Sequence, residues 1–180
     1  MNDLALHLLD IVQNSLVAGA TFIRILITEN PTDNEVIMTV EDNGKGMSPE
    51  QVAKLSDPFF TSRTTRKVGL GVPLLRQSAE QSGGGLKVTS ALGKGTTLTA
   101  WFEYSHLDRP PMGDIPNAVI LLVSANPTID FEYVYTYNHQ SYTFNTIEVK
   151  EALDGLPLND VQVIRMLQEM IRENQNDLKV

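Results

Sequence analysis

The chain has 180 residues, a formal net charge of −8, 42% hydrophobic and 20% charged residues, and no cysteine. That size and composition suit one packed domain with a substantial extension, while the missing cysteines exclude disulfides, thiolate metal sites and a cysteine nucleophile. The acidity argues against a nucleic-acid binder, which would need a clustered basic surface. The opening MNDLALHLLD carries acids where a secretory signal carries lysines, and no apolar run approaches the ~18 residues of a membrane span, so a soluble cytoplasmic protein with no nucleic-acid or membrane partner is expected.

Asp3 is placed to cap a helix running to about residue 18, with Leu4, Leu8, Ile11 and Ser15 on one face and Gly19 as its stop. Residues 21–28 and 36–41 alternate as strands around the turn Asn30-Pro31-Thr32-Asp33-Asn34, which predicts a hairpin. Ser48-Pro49-Glu50-Gln51 has a serine cap, a first-turn proline and a glutamine three residues on, the pattern of a capping box. A helix over 71–81 should end at Gly83-Gly84-Gly85, and strands over 86–91 and 96–104 should join through Leu92-Gly93-Lys94-Gly95.

Three prolines and a glycine in SHLDRPPMGDIP make residues 105–117 a linker between a domain over 1–104 and an extension over 118–180. Residues 1–103 hold 9 basic and 11 acidic side chains, whereas 104–180 hold 5 and 11, so the extension carries most of the negative charge. In it, strands are expected over 118–124, 131–137 and 142–145, and helices over 147–154 and 161–173. Tyr133, Tyr135, Tyr137 and Tyr142 alternate so as to share one sheet face as core or half-buried pairs. On the last helix Val161, Ile164, Leu167 and Ile171 form a stripe widened by Val163, Met166 and Met170. Such a stripe packs on the parent domain and would also serve as a homodimer or partner face.

Four constellations carry chemistry. Asp10 and Asn14 project from one helix face, with His7 on the same stripe, and a carboxylate beside a carboxamide suits a hard cation as well as a solvated surface. Glu41-Asp42-Asn43-Gly44-Lys45-Gly46-Met47 leaves a strand end. There a carboxylate can read a donor edge while glycines admit a ligand, although an Asp-Asn-Gly turn is common in itself. Asp57-Pro58-Phe59-Phe60-Thr61-Ser62-Arg63, followed by Val68-Gly69-Leu70-Gly71-Val72, places hydroxyls, basic groups and glycines before a helix start, where backbone donors attract anions. Gly93-Lys94-Gly95-Thr96-Thr97 reads as a hairpin turn when taken alone.

In this order, LDIVQNSLVAGA, EDNGKGM, DPFFTSR with VGLGVPLL, and GKGTTLTAWF strongly resemble the GHKL ATPases: histidine kinases, anti-sigma serine kinases, gyrase-type topoisomerases, mismatch-repair proteins and heat-shock chaperones. The resemblance covers residues 3–103. It implies a two-layer α/β sandwich of the Bergerat type, its mixed sheet covered on one face by helices, that binds ATP with Mg2+. It implies that Asn14 ligates the metal, that Asp42 accepts from the adenine amino group with Gly44, Gly46 and Met47 shaping the pocket, and that Thr96 or Thr97 lies beside adenine. Phe60, Thr61, Ser62 and Arg63 then open the lid over the phosphates, and Gly69, Leu70, Gly71 and Val72 admit them at the following helix. Asp10 stands where hydrolytic relatives carry glutamate. One methylene less predicts slow hydrolysis, since a ~1 Å misplacement costs about 100-fold, and His7 reads as a helix-surface residue. The asparagine box lies in the first turns of the chain, with no phosphoacceptor hairpin before it. The expectation is therefore a regulatory protein kinase acting in trans on an unidentified protein, or an ATP-sensing interaction module with little turnover.

Overall fold

A computed structural model describes residues 3–55 and 71–180. Helix α1 (Leu4–Val17) leads into strands β1 (Phe22–Asn30) and β2 (Glu35–Asp42), joined by a 3-10 turn over Pro31–Asp33. Next come α2 (Pro49–Leu55), α3 (Gly71–Gln81), β3 (Gly85–Ala91) and β4 (Gly95–Glu103). The C-terminal part supplies α4 (Ile115–Ala125), β5 (Asp130–Tyr137), β6 (Gln140–Asn145), α5 (Thr146–Leu153) and α6 (Val161–Asp177).

Local signals set several of these ends. The Asp3 carboxylate accepts from Leu6 N at 2.8 Å and caps α1. At α2, Gln51 N donates to Ser48 Oγ at 3.3 Å while Ser48 N donates to Gln51 Oε1 at 2.9 Å, so both halves of the capping box form.

The six strands form one mixed sheet in the order β3-β4-β2-β1-β5-β6, in which only β1 and β5 run parallel. Alternation buries one face: Ile23, Ile25 and Ile27 on β1, Val36, Met38 and Val40 on β2, Leu98, Ala100 and Phe102 on β4, and Phe131, Tyr133 and Tyr135 on β5. Helix α1 packs between α3 and α4, and α4 packs against α6. The buried side of this sheet–helix sandwich is where the core lies.

Residues 118–124, expected as a strand, lie inside helix α4. AVILLVS is apolar throughout, so it has no periodicity to separate strand from buried helix. The deciding features are at its start, where Asp114 accepts from Asn117 N at 3.1 Å and Pro116 occupies the first turn. The last residues assigned to the linker, 115–117, therefore begin this helix. Most of the helix is buried, with Leu121 its exposed large apolar residue.

The C-terminal segment continues the sheet instead of building its own layer. Strand β5 runs beside β1 from Phe22↔Asp130 to Glu29↔Tyr137, and Tyr135 faces Tyr142 across the β5–β6 hairpin. Tyr133 and Tyr135 are fully buried, and their hydroxyls donate to Gln175 Oε1 at 2.6 Å and to Glu29 Oε1 at 2.7 Å. Lys179 Nζ lies 3.5 Å from the same Glu29 oxygen, so the end of α6 is tied to a buried carboxylate on β1. Along α6, Val163, Leu167 and Ile171 are buried, whereas Val161 and Met166 face outward.

Candidate nucleotide site

The site gathers where β2 ends, because three glycine-containing turns meet there. Helix α1 stops at Ala18 and Gly19, the β2 strand runs out at Asp42, and the β3–β4 hairpin turns over 92–94. Ala18 O accepts from Lys45 N at 2.9 Å, and Lys45 O accepts from Gly93 N at 2.7 Å, so the loop after β2 is clamped on both sides. Only glycine fits at two places in it. A Cβ on Gly44 would stand 2.9 Å from the Ala18 Cβ, and Gly46 has φ +70° with a Cβ that would collide with the Ala91 carbonyl oxygen.

Asp42 is anchored by both carboxylate oxygens. Ser15 Oγ donates to Oδ2 at 2.6 Å and Gly44 N donates to Oδ1 at 2.9 Å. An ionised carboxylate accepts about four hydrogen bonds, so each oxygen keeps capacity for a ligand donor. Ser15 is 3% exposed and comes from α1, 27 residues away in sequence, so the helix that carries Asp10 and Asn14 also orients Asp42.

Asp10 and Asn14 are half-buried on one stripe of α1, and neither side chain makes a hydrogen bond within the described residues. The first residue of α3 abuts this stripe: a Cβ on Gly71 would sit 3.3 Å from Asp10 Cβ. A carboxylate and a carboxamide without partners among the described residues, the carboxylate beside the start of α3, are a donor set that fits a hard cation carrying phosphates. Val72 and Pro73 are buried in the first turn of α3 and hold it against the core.

His7 is not on the helix surface. It is fully buried, and neither ring nitrogen has a hydrogen-bond partner. Burial pushes its pKa down, with Asp10 and Asp3 pulling the other way, so the imidazole is held neutral. The position lies at the edge of the polar stripe, and packing turns it inward.

The register separates the two threonines. Thr96 pairs with Asp42 and shares its helix-covered face, whereas Thr97 pairs with Glu41 on the opposite face, where Arg24 bridges Glu41 at 3.3 Å and Glu132 at 2.8 Å. Two residues here are site residues that the sequence motifs do not single out, Ser15 as a partner of Asp42 and Ser90 on β3. Ser90 Oγ accepts from Met47 N at 2.8 Å and lies 2.9 Å from both Gly95 O and Thr96 Oγ1. The period of two that puts Ser90 on the covered face was the available signal. Phe59, Phe60, Thr61, Ser62, Arg63, Gly69 and Leu70 lie outside the described residues.

Comparison with known proteins fits this geometry. The family described as histidine kinase-, DNA gyrase B-, and HSP90-like ATPase matches residues 2–106. Sensor histidine kinase ZraS of Salmonella typhimurium is 42% identical over 73 residues, covering 41% of this chain and 15% of its own length. ZraS of Escherichia coli K12 is 31% identical over 106 residues, covering 59% and 23%. Sensor kinase CckA of Brucella abortus is 27% identical over 179 residues, covering 83% and 19%. The chain thus spans less than a quarter of the length of these relatives. A crystal structure of the N-terminal domain of a DNA repair protein shares the fold, with a TM-score of 0.58 at 17% identity, over 78% of this chain and 51% of that one. With more than half of its residues inside the family match, the chain belongs to the histidine kinase-, DNA gyrase B- and HSP90-like ATPases.

Proposed function

We propose that this chain binds Mg-ATP and acts in the cytoplasm as a regulatory protein kinase, passing phosphate in trans to a separate protein. The observation that carries the nucleotide reading is Asp42, whose carboxylate is held by Ser15 and Gly44 at the mouth of a glycine-pinched loop. In this reading Asp42 accepts from the adenine amino group, Gly44, Gly46 and Met47 form the wall beside the base, and Thr96 faces its edge. Asn14 lends its amide oxygen to Mg2+, Gly71 and Val72 bring the start of α3 to the phosphates, and Asp10 orients the attacking group. Phe60, Thr61, Ser62, Arg63, Gly69 and Leu70 are assigned to the lid and the phosphate contacts by family resemblance alone. Bound Mg-ATP supplies the phosphoryl group.

Transfer to a separate acceptor is favoured by where the histidines lie. His7 is buried, and His139 sits 3.7 Å from Asp33 in the turn before β2, a strand that runs about 23 Å from Glu35 to Asp42. His106 is at that same far end, where Ser105 N donates to Asn34 Oδ1. A second reading, an ATP-gated interaction module with little turnover, is favoured by the short reach of Asp10. Incubation of the purified chain with γ-labelled Mg-ATP and proteins recovered by pull-down tests both. Label on a second polypeptide supports the kinase, binding without transfer or release supports the module, and absence of Mg-dependent ATP binding refutes the two together.

A further inference from the structure

We propose that Ser90 is a positioning residue of the nucleotide pocket, holding Thr96 and the Met47 backbone in one arrangement; this rests on the Mg-ATP reading above. One oxygen on β3 serves three groups on two other segments. Ser90 Oγ accepts from Met47 N, which belongs to the loop clamped beside Asp42, and it contacts Gly95 O and Thr96 Oγ1 on β4, all within 2.9 Å.

The proton count constrains the arrangement. A hydroxyl carries one donor and two acceptor sites. If Ser90 donates to Gly95 O, then Thr96 donates to Ser90 and turns its lone pairs outward. If Ser90 donates to Thr96, the Thr96 proton is free for a ligand acceptor. In both cases Ser90 stays bonded to Thr96 and to Met47 N, so the threonine oxygen stays in place while its polarity adapts to the base.

Position adds to this. Ser90, Thr96 and Asp42 form one row across β3, β4 and β2 on the helix-covered face. Met47 is followed directly by Ser48, the cap of α2. Ser90 therefore joins the wall beside Asp42 to the helix that precedes residues 56–70.

The test compares Ser90→Ala, Ser90→Thr and Thr96→Val in the full chain by calorimetry with Mg-ATP. Losing the shared acceptor should weaken ATP binding roughly 5- to 10-fold in Ser90→Ala, and Ser90→Thr, which keeps the oxygen, should restore affinity to within about 2-fold of the parent. Because part of the Ser90 effect runs through Thr96 and part through Met47 N, the Ser90→Ala effect should shrink, without disappearing, in the Thr96→Val background. Without nucleotide, amide exchange at Met47 should accelerate in Ser90→Ala while the β2 core amides keep their protection. Parent-like affinity of Ser90→Ala, full additivity with Thr96→Val, or unchanged Met47 exchange would each overturn the assignment while leaving the nucleotide site standing. A parent chain that binds no Mg-ATP removes the nucleotide reading, and this inference with it.

Discussion

Replacing Asp42 by alanine should separate a nucleotide site from a structural turn. The carboxylate makes two hydrogen bonds in the protein, from Ser15 Oγ at 2.6 Å and from Gly44 N at 2.9 Å, and in the proposed complex a third from the adenine amino group. A hydrogen bond to a charged acceptor contributes ~1.5–3 kcal/mol, so the ATP dissociation constant should rise roughly 10- to 150-fold. Thermal shift makes this visible. At a concentration about 100 times the parent dissociation constant, ATP should stabilise the parent by ~2.7 kcal/mol. A variant bound 100-fold more weakly would gain only ~0.4 kcal/mol at that concentration. For a domain of this size about 1 kcal/mol corresponds to a Tm change of ~2–4 °C, so a shift of several degrees should shrink to about one. The unliganded variant should itself lose about 1 kcal/mol or more, because the buried Ser15 hydroxyl loses its acceptor. Asp42→Asn should keep the fold better and lose most of the preference for ATP over GTP. An Asp42→Ala protein that keeps the full shift with millimolar Mg-ATP would refute the adenine-binding argument.

Three further outcomes are expected. Asp10→Asn should abolish whatever ATP hydrolysis the parent shows while holding affinity within a few-fold, and Asn14→Ala should remove the Mg2+ dependence of binding; parent-like turnover in Asp10→Asn, measured by phosphate release, would remove the carboxylate from the chemistry. The folded chain resists protonation of buried His7 whereas the unfolded chain accepts it near pH 6.5, so stability is full above that pH and declines as pH falls below it. The decline is at most about 1.4 kcal/mol per pH unit, and His7→Leu should flatten it in urea titrations at pH 7.5 and 5.5; equal slopes would contradict the neutral imidazole. Tyr135→Phe should cost ~2 kcal/mol by leaving the buried Glu29 oxygen short of a donor. Lys179→Met should cost less, about 1 kcal/mol, because the lysine is 39% exposed and its charge is screened; denaturation midpoints that do not move would break this link between α6 and the sheet.

Features that depend on neighbours a few residues apart could be read from the order of amino acids. The Asp3 cap, the Ser48–Gln51 capping box and the β1–β2 and β3–β4 hairpins were legible because turn chemistry and alternation act within one segment. The family was legible in the order of its four motifs, and Asp42 could be singled out as a carboxylate at a strand end. Which side chains meet follows from the packing of distant segments. Helix α4 hid inside a run of uniform hydrophobicity, where period conveys nothing. The parallel pairing of β5 with β1, which draws the C-terminal segment into the sheet, depends on contacts over 100 residues apart. His7 shares a stripe with Asp10 and Asn14 but is buried, because the boundary of a helix face is set by its neighbours and not by its own spacing. The partnerships of Ser15 with Asp42 and of Ser90 with Met47 and Thr96 required β2, β3 and α1 to be in place. So did the choice between Thr96 and Thr97, since adjacent strand residues point to opposite faces and only the register with Asp42 says which one faces the helices.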